Sequence, residues 1–320
     1  MERVPAFDGL RALAILMVIG YHIDRGVVPA GFWGVILFFV LSGYLITRLL
    51  AAERDRFGRV DLRLFYLKRA LRLLPALFIV CLALLVVGKP WSSVAPALGY
   101  YANYARIGGV DLGLLTHSWS LAVEEHFYLI WPLVIGVVSA RHRLRVIGLL
   151  TVAAIAWRVI AILVMSPGWV YNATDTNAAA LLAGCWLAVA RPPAGRWTGW
   201  SIPVMAALVF VPALGTDGGG FSWGGFAAVA LSVLAIQFAL TRPGWLEARA
   251  LVWMGKVSYG LYLWHYVFVR SDIPTWAALA LTVAAATASW YLVEDPIRRW
   301  RRRFRPRTSP PEPVPPALST

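Results

Sequence analysis

The chain has 320 residues, 59% hydrophobic and 14% charged, with a formal net charge of +14 and a mean hydropathy of +0.66. Soluble domains carry about 25% charged residues, so the composition excludes a soluble globular protein and predicts an all-α, polytopic membrane helix bundle. The positive charge does not point to nucleic acid, because its placement follows the ends of apolar runs.

A spanning helix needs ~20 mostly apolar residues. Ten segments qualify: 9–28, 32–50, 73–88, 117–140, 146–165, 177–190, 201–215, 221–240, 252–270 and 275–293. Gly215-Thr-Asp-Gly-Gly-Gly220 separates the seventh from the eighth as a turn. The first run lacks a small-residue cleavage site and is expected to stay as a spanning helix. When the connections are assigned to alternate sides, most of the 30 Lys and Arg fall on one side. The other side receives Arg25, Lys89, Arg106 and Arg270, and Arg158 lies within the fifth span. The rule that positive loops stay inside makes the basic side, and both ends of the chain, cytoplasmic. Trp and Tyr, 16 and 12 in number, fit aromatic belts at the two interfaces. Residues 51–72 read as a basic cytoplasmic connection, and 89–116 as a longer outer loop rich in Tyr and Gly. Residues 1–300 form one membrane domain in this reading, and 301–320 a basic, Pro-rich disordered tail. Cys81 and Cys185 sit far apart in apolar runs and read as packing residues, with no metal site.

The first span starts at Phe7-Asp-Gly-Leu-Arg11 and ends at Tyr21-His22, with almost only Ala, Leu, Ile, Met, Val and Gly between. Eleven residues at roughly 100° each overshoot three turns by only about 20°, which places Arg11 and His22 on one helix face, roughly 16 Å apart along the axis. Ionisable groups inside a span are costly and mark functional sites. Arg11 also suits a snorkelling anchor, and His22 a packing histidine. Histidine suits proton abstraction near neutral pH, and Asp24 and Arg25 are placed to hold the His22 imidazole in one tautomer.

A second polar stretch is His117-Ser-Trp119-Ser-Leu-Ala-Val-Glu124-Glu125-His126-Phe-Tyr128. His117 and Glu124 are seven apart and share a helix face, as do Ser118 and Glu125. Adjacent carboxylates inside an apolar run do not form a solvated face, although pairing with Arg69 or Arg72 would explain them structurally. Lys68, Arg69 and Arg72 carry either topogenic charge or a phosphate site, because guanidinium forks match phosphate geometry. Ser258, Tyr262 and His265 line one helix face, and Tyr171-Asn-Ala-Thr-Asp175-Thr-Asn177 lies on the outer side. Glu294-Asp295-Pro-Ile-Arg298 closes the last span as a terminus with local pairing.

Taken in order, Phe7-Asp-Gly-Leu-Arg11…His22, Phe39-Val-Leu-Ser42-Gly-Tyr44, Lys68-Arg69-Ala-Leu-Arg72-Leu-Leu-Pro75, the His117–Tyr128 stretch, Ser258-Tyr259…Tyr262-Leu-Trp-His265 and Tyr291-Leu-Val-Glu294-Asp-Pro-Ile resemble the acyltransferase 3 family over about residues 5–300. The resemblance implies a bacterial inner-membrane enzyme that transfers an acyl group, usually acetyl from acetyl-CoA, to a hydroxyl of a carbohydrate or glycosylated acceptor such as a surface polysaccharide or peptidoglycan. It implies activity at Arg11 and His22, with the carboxylates Glu124 and Glu125, and donor binding at Lys68, Arg69 and Arg72. His22 acts there as general base or transient acyl carrier. We expect His117, Trp119, Asp175, Tyr262, His265 and Ser42 to contact substrate. Many relatives read Thr-Asp-Thr-Arg where this chain has Thr174-Asp175-Thr176-Asn177. A tailoring enzyme for a secondary metabolite such as a macrolide sugar fits the same residues. A transporter with a His/Glu proton relay is the rival from another class, although no repeat supports it.

Overall fold

A computed structural model describes residues 4–216 and 222–301. The tail beyond Arg301 and part of the Gly215–Gly220 turn lie outside the described residues. The described chain is helical throughout. It begins with α1 (Pro5–Ile23), α2 (Trp33–Phe57) and α3 (Leu62–Val86), followed by the short α4 (Trp91–Leu98) and α5 (Ala102–Ile107). A 3₁₀ turn, Gly113–Ser118, leads into α6 (Trp119–Val137), then α7 (Ala140–Val164), α8 (Pro167–Asn172) and α9 (Thr174–Ala190). The rest is α10 (Ser201–Leu208), α11 (Gly224–Thr241), α12 (Arg249–Lys256), α13 (Ser258–Val269), α14 (Thr275–Ser289) and α15 (Asp295–Arg301).

Seven helical stretches are long and apolar enough to cross a membrane: α1, α2, α3, Gly113–Val137, α7, α11 and Thr275–Trp300. The other three expected spans are shorter. α9 has 17 residues, segment 201–215 holds only the eight-residue α10, and segment 252–270 divides at Val257 into α12 and α13. Burial separates centre from rim, since 61% of the apolar window is buried in α1 and in α2 but only 17% in α7 and in Thr275–Trp300. Rim residues such as Leu149, Val152, Leu163 and Leu292 present apolar surface outward, as helices facing lipid do.

The basic stretch 51–72 is not a loop. Its Ala, Glu and Arg favour helix, so α2 runs on to Phe57, where Gly58 takes the left-handed conformation (φ 71°) and its N–H closes on Arg54 O. Asp61 then caps α3, accepting from the Leu64 N–H at 2.9 Å. Only residues 58–61 connect the two helices. Segment 89–116 folds into α4, α5 and the 3₁₀ turn. α2 lies along α9 so closely that a Cβ on Gly184 would stand 1.9 Å from Val40 O. Cys185, beside it, is a buried free thiol that contacts Gly43 O, and Cys81 is buried and free as well.

Candidate active site

A cavity of about 180 Å³ opens among α1, α2, α3, α6 and α13, with Arg11, Ser42, Arg69, Arg72, Glu124 and Glu125 in its wall. The three-residue spacing of Arg69 and Arg72 turns both guanidiniums to one side of α3. Arg69 donates from Nε to Glu125 Oε1 at 2.8 Å and lies over the Tyr128 ring. Ser42 Oγ donates to Glu124 Oε1 at 2.6 Å. Arg11 pairs with Asp8 one turn earlier at 3.5 Å. A second cavity of about 220 Å³ shares Arg11, Arg72, Ser258 and Tyr259 with the first and adds Lys256, Glu294 and Arg298. Asp295 is held by Arg298 and Arg299, the local pairing expected at this terminus.

Sequence reasoning missed Tyr100, which also lines the first cavity. It sits between α4 and α5 at φ 53°, a left-handed conformation that costs a non-glycine residue energy. Its buried hydroxyl has no hydrogen-bond partner, and burial pushes its phenol well above the usual range. Nothing in the local sequence signals that backbone.

Ser120 and Tyr262 also line the first cavity, and their hydroxyls are 2.6 Å apart. The Tyr262 ring touches two histidines, with centroids 5.3 Å from His117 and 5.5 Å from His265. His22 lies beyond them, its Nδ1 3.1 Å from His265 Nε2. His265 Nδ1 faces the carbonyls of Tyr262 at 2.7 Å and Leu261 at 3.2 Å. Buried His117 stacks on Tyr266. Arg11 therefore lines the cavity, while His22 stands behind the Tyr262 and His265 rings. Among the described residues, no His, Cys, Asp or Glu group is arranged to hold a metal ion.

Several expected placements change. Asp24 does not orient His22, because its Oδ1 accepts from the Gly26 and Val27 amides; His265, 243 residues along the chain, is the partner instead. Ser42 belongs to the cavity of the arginines. His117 and Glu124 separate because His117 lies in the 3₁₀ turn before α6, where the α-helical angle of 100° per residue does not apply. Asp175 Oδ2 accepts from the indoles of Trp157 (2.7 Å) and Trp169 (3.3 Å). Trp119 packs on Tyr171 with centroids 4.7 Å apart. Lys68 is half-buried and outside the lining of either cavity. Asn177 donates to the carbonyls of Tyr171 and Ala173. The guanidinium near it comes from α7, where buried Arg158 donates to Thr176 O at 3.0 Å.

With this arrangement in view, the comparison with known proteins is direct. A profile described as an acyltransferase domain matches residues 4–294. The chain belongs to the acyltransferase 3 family. It is 34% identical over 346 residues to the O-acetyltransferase OatA of Staphylococcus aureus, an alignment covering 92% of this chain and 57% of the relative. To the peptidoglycan O-acetyltransferase OatA of Listeria monocytogenes it is 30% identical over 347 residues, covering 92% of this chain and 56% of the relative. A putative O-acetyltransferase of Staphylococcus aureus is 29% identical over 372 residues, at 96% and 60%. The chain thus spans less than two thirds of the length of these relatives. No solved structure matches it.

Proposed function

We propose that this acyltransferase 3 protein is a membrane O-acetyltransferase. It moves an acyl group from acyl-CoA, bound at the Arg11 end, onto a carbohydrate hydroxyl at the His22 end, in the cytoplasmic membrane of a bacterium. Relatives named as O-acetyltransferases, one of them for peptidoglycan, support acetyl transfer and make peptidoglycan the first acceptor to test. Residues 1–300 act as one unit of ten crossings with both ends cytoplasmic: the seven long stretches, together with α9, segment 201–215 and the α12–α13 pair. The distribution of Lys and Arg supports that orientation.

One observation carries the chemistry. Carbonyl oxygens only accept hydrogen bonds, so His265 Nδ1, facing two of them, holds the proton. The neutral ring then accepts at Nε2, and His22 Nδ1 must donate to it. That leaves the lone pair of His22 on Nε2, free to act as a base. In this reading the acceptor hydroxyl gives its proton to His22 Nε2 while its oxygen attacks the thioester carbonyl. The C–S bond breaks, and His22 returns the proton to the departing thiolate. His265 is thereby a positioning residue rather than a substrate contact.

The donor suits the cavity wall. Arg11 and Arg72 border both cavities, with Lys256 and Arg298 in the outer one, and these cations match a donor that carries phosphates. The unpartnered Tyr100 hydroxyl is a donor in want of an acceptor inside the same cavity. Membranes supplied with radiolabelled acetyl-CoA test the reading. Wild-type protein transfers label to glycan, and His22→Ala, still folded, loses at least ~10²-fold, the lower end of what a general base contributes. Undiminished transfer by His22→Ala removes His22 from the chemistry.

A further inference from the structure

Two tyrosines pack edge-on against the His22 ring: Tyr21 at 5.2 Å and Tyr266 at 4.9 Å between centroids. Each has a guanidinium over its own ring, Arg25 at 4.9 Å from Tyr21 and Arg270 at 5.5 Å from Tyr266. A third pair, Arg106 over Tyr171 at 5.5 Å, joins Tyr21 through Phe32. Burial raises the Tyr171 phenol, and the Arg106 and Arg25 cations oppose that rise.

Among the described residues, none of these three arginines has a carboxylate partner, whereas Arg11, Arg69, Arg143 and Arg298 all do. Three acids in this region are engaged elsewhere: Asp24 and Asp111 cap turns, and Asp175 is held between two indoles. Asp272 makes no ion pair with these arginines. Beside Tyr266 and Arg270 opens a cavity of about 450 Å³, which Lys89 also lines; small-ligand sites span roughly 300–1,000 Å³.

We propose that Arg25, Arg106 and Arg270 form an acceptor subsite for an acid group carried by the glycan near the hydroxyl that is acylated. The proposal rests on the reading of His22 as the base. Stacking on a tyrosine holds each planar guanidinium in a fixed orientation, leaving its edge to grip a carboxylate or phosphate through two parallel hydrogen bonds. The subsite also bears on the chemistry. The imidazolium formed when His22 takes the acceptor proton arises against the two tyrosines that carry the Arg25 and Arg270 cations, and an acid group docked on them offsets that repulsion. An acidic glycan thus assists its own acylation. The phosphate of a lipid headgroup has the same chemistry and is the other source of such an anion.

The full-length protein in neutral detergent, with acetyl-CoA as donor, separates these sources. The acceptors are one tetrasaccharide of alternating N-acetylglucosamine and N-acetylmuramic acid, with its lactyl carboxylates either free or converted to neutral amides. The hydroxyls are identical in the two forms. We expect kcat/KM at least ~10-fold higher for the free acid, the scale of one charge-assisted bidentate contact. That ratio falls in Arg106→Gln and approaches one in the Arg25→Gln/Arg270→Gln double variant. Equilibrium binding of both sugars to His22→Ala protein gives the same preference without catalysis, so the subsite stands or falls separately from the base. A ratio near one in the wild type, in binding as in transfer, overturns the proposal. So does a loss that appears only when anionic phospholipid is added and is equal for both sugars, which assigns the arginines to lipid.

Discussion

Tyr262 Oη and Ser120 Oγ meet at 2.6 Å, and this pair stands between the cavity of Arg11 and the histidines. Tyr262 spends its one proton on His117 O at 2.7 Å, so the Ser120 hydroxyl donates to Tyr262. In the proposed mechanism the reacting thioester passes this point. Bulk added here, as in Ser120→Leu, is expected to lower transfer at least ~10²-fold while leaving acetyl-CoA binding within about threefold, since small misplacements of reacting groups have effects of that size. Calorimetric binding and label transfer measured on one preparation check both halves; undiminished transfer puts the route elsewhere.

The His22–His265 hydrogen bond predicts a defined tautomer. Ring-¹⁵N spectra of histidine-labelled protein should show His22 protonated at Nδ1 and bare at Nε2. His265→Leu removes the acceptor at similar volume and is expected to lower kcat at least ~10²-fold. His265→Gln restores an oxygen near the lost Nε2 and should recover much of that loss, with the donor KM unmoved in both. Equal loss in the two variants would make His265 a packing residue only.

Arg69 and Glu125 form a half-buried pair, 12% and 19% exposed. Removing one member of a fully buried pair typically costs about 3–5 kcal/mol, because the other charge is left buried and alone, and the partial exposure here lowers that figure. Arg69→Met and Glu125→Gln are each expected to lower thermal stability markedly, and the double variant less than the sum of the two. Additive losses in a double-mutant cycle would show that the pair is not coupled.

Gly184 sets the distance between α2 and α9. Any side chain there meets the Val40 carbonyl, a backbone atom that cannot swing away. Gly184→Val should therefore destabilise the fold by at least ~1–3 kcal/mol, the usual range for overpacking, and reduce the yield of folded protein extracted from membranes. Wild-type melting behaviour would contradict the close packing.

Hydropathy and charge made the helical class and the seven long apolar stretches legible, since each rests on a local run of residues. The division of 252–270 at Val257 was not, because the apolar run continues across it and Gly255 and Gly260 also occur within helices. Residues 51–72 misled for a related reason, as charge predicts exposure but does not break a helix. In the site, the residue types were visible but not their partners. The neighbouring Asp24 looked like the orienting group for His22, yet a local turn consumes it, and His265 reaches the imidazole only through the packing of α13 on α1. The guanidinium that approaches Asn177 from Arg158, and the left-handed backbone of Tyr100, are likewise products of tertiary packing that no local pattern encodes.

The central claim is that the donor enters at the Arg11 end and the acceptor is acylated at the His22 end of one continuous route. Sealed vesicles with uniformly oriented protein, loaded with radiolabelled acetyl-CoA inside and given a membrane-impermeant glycan outside, test it most directly. With the Arg11 end facing the lumen, label should appear on the outer glycan, and Ser120→Leu should abolish it. Label confined to glycan enclosed with the acetyl-CoA, and never found outside, would contradict the account.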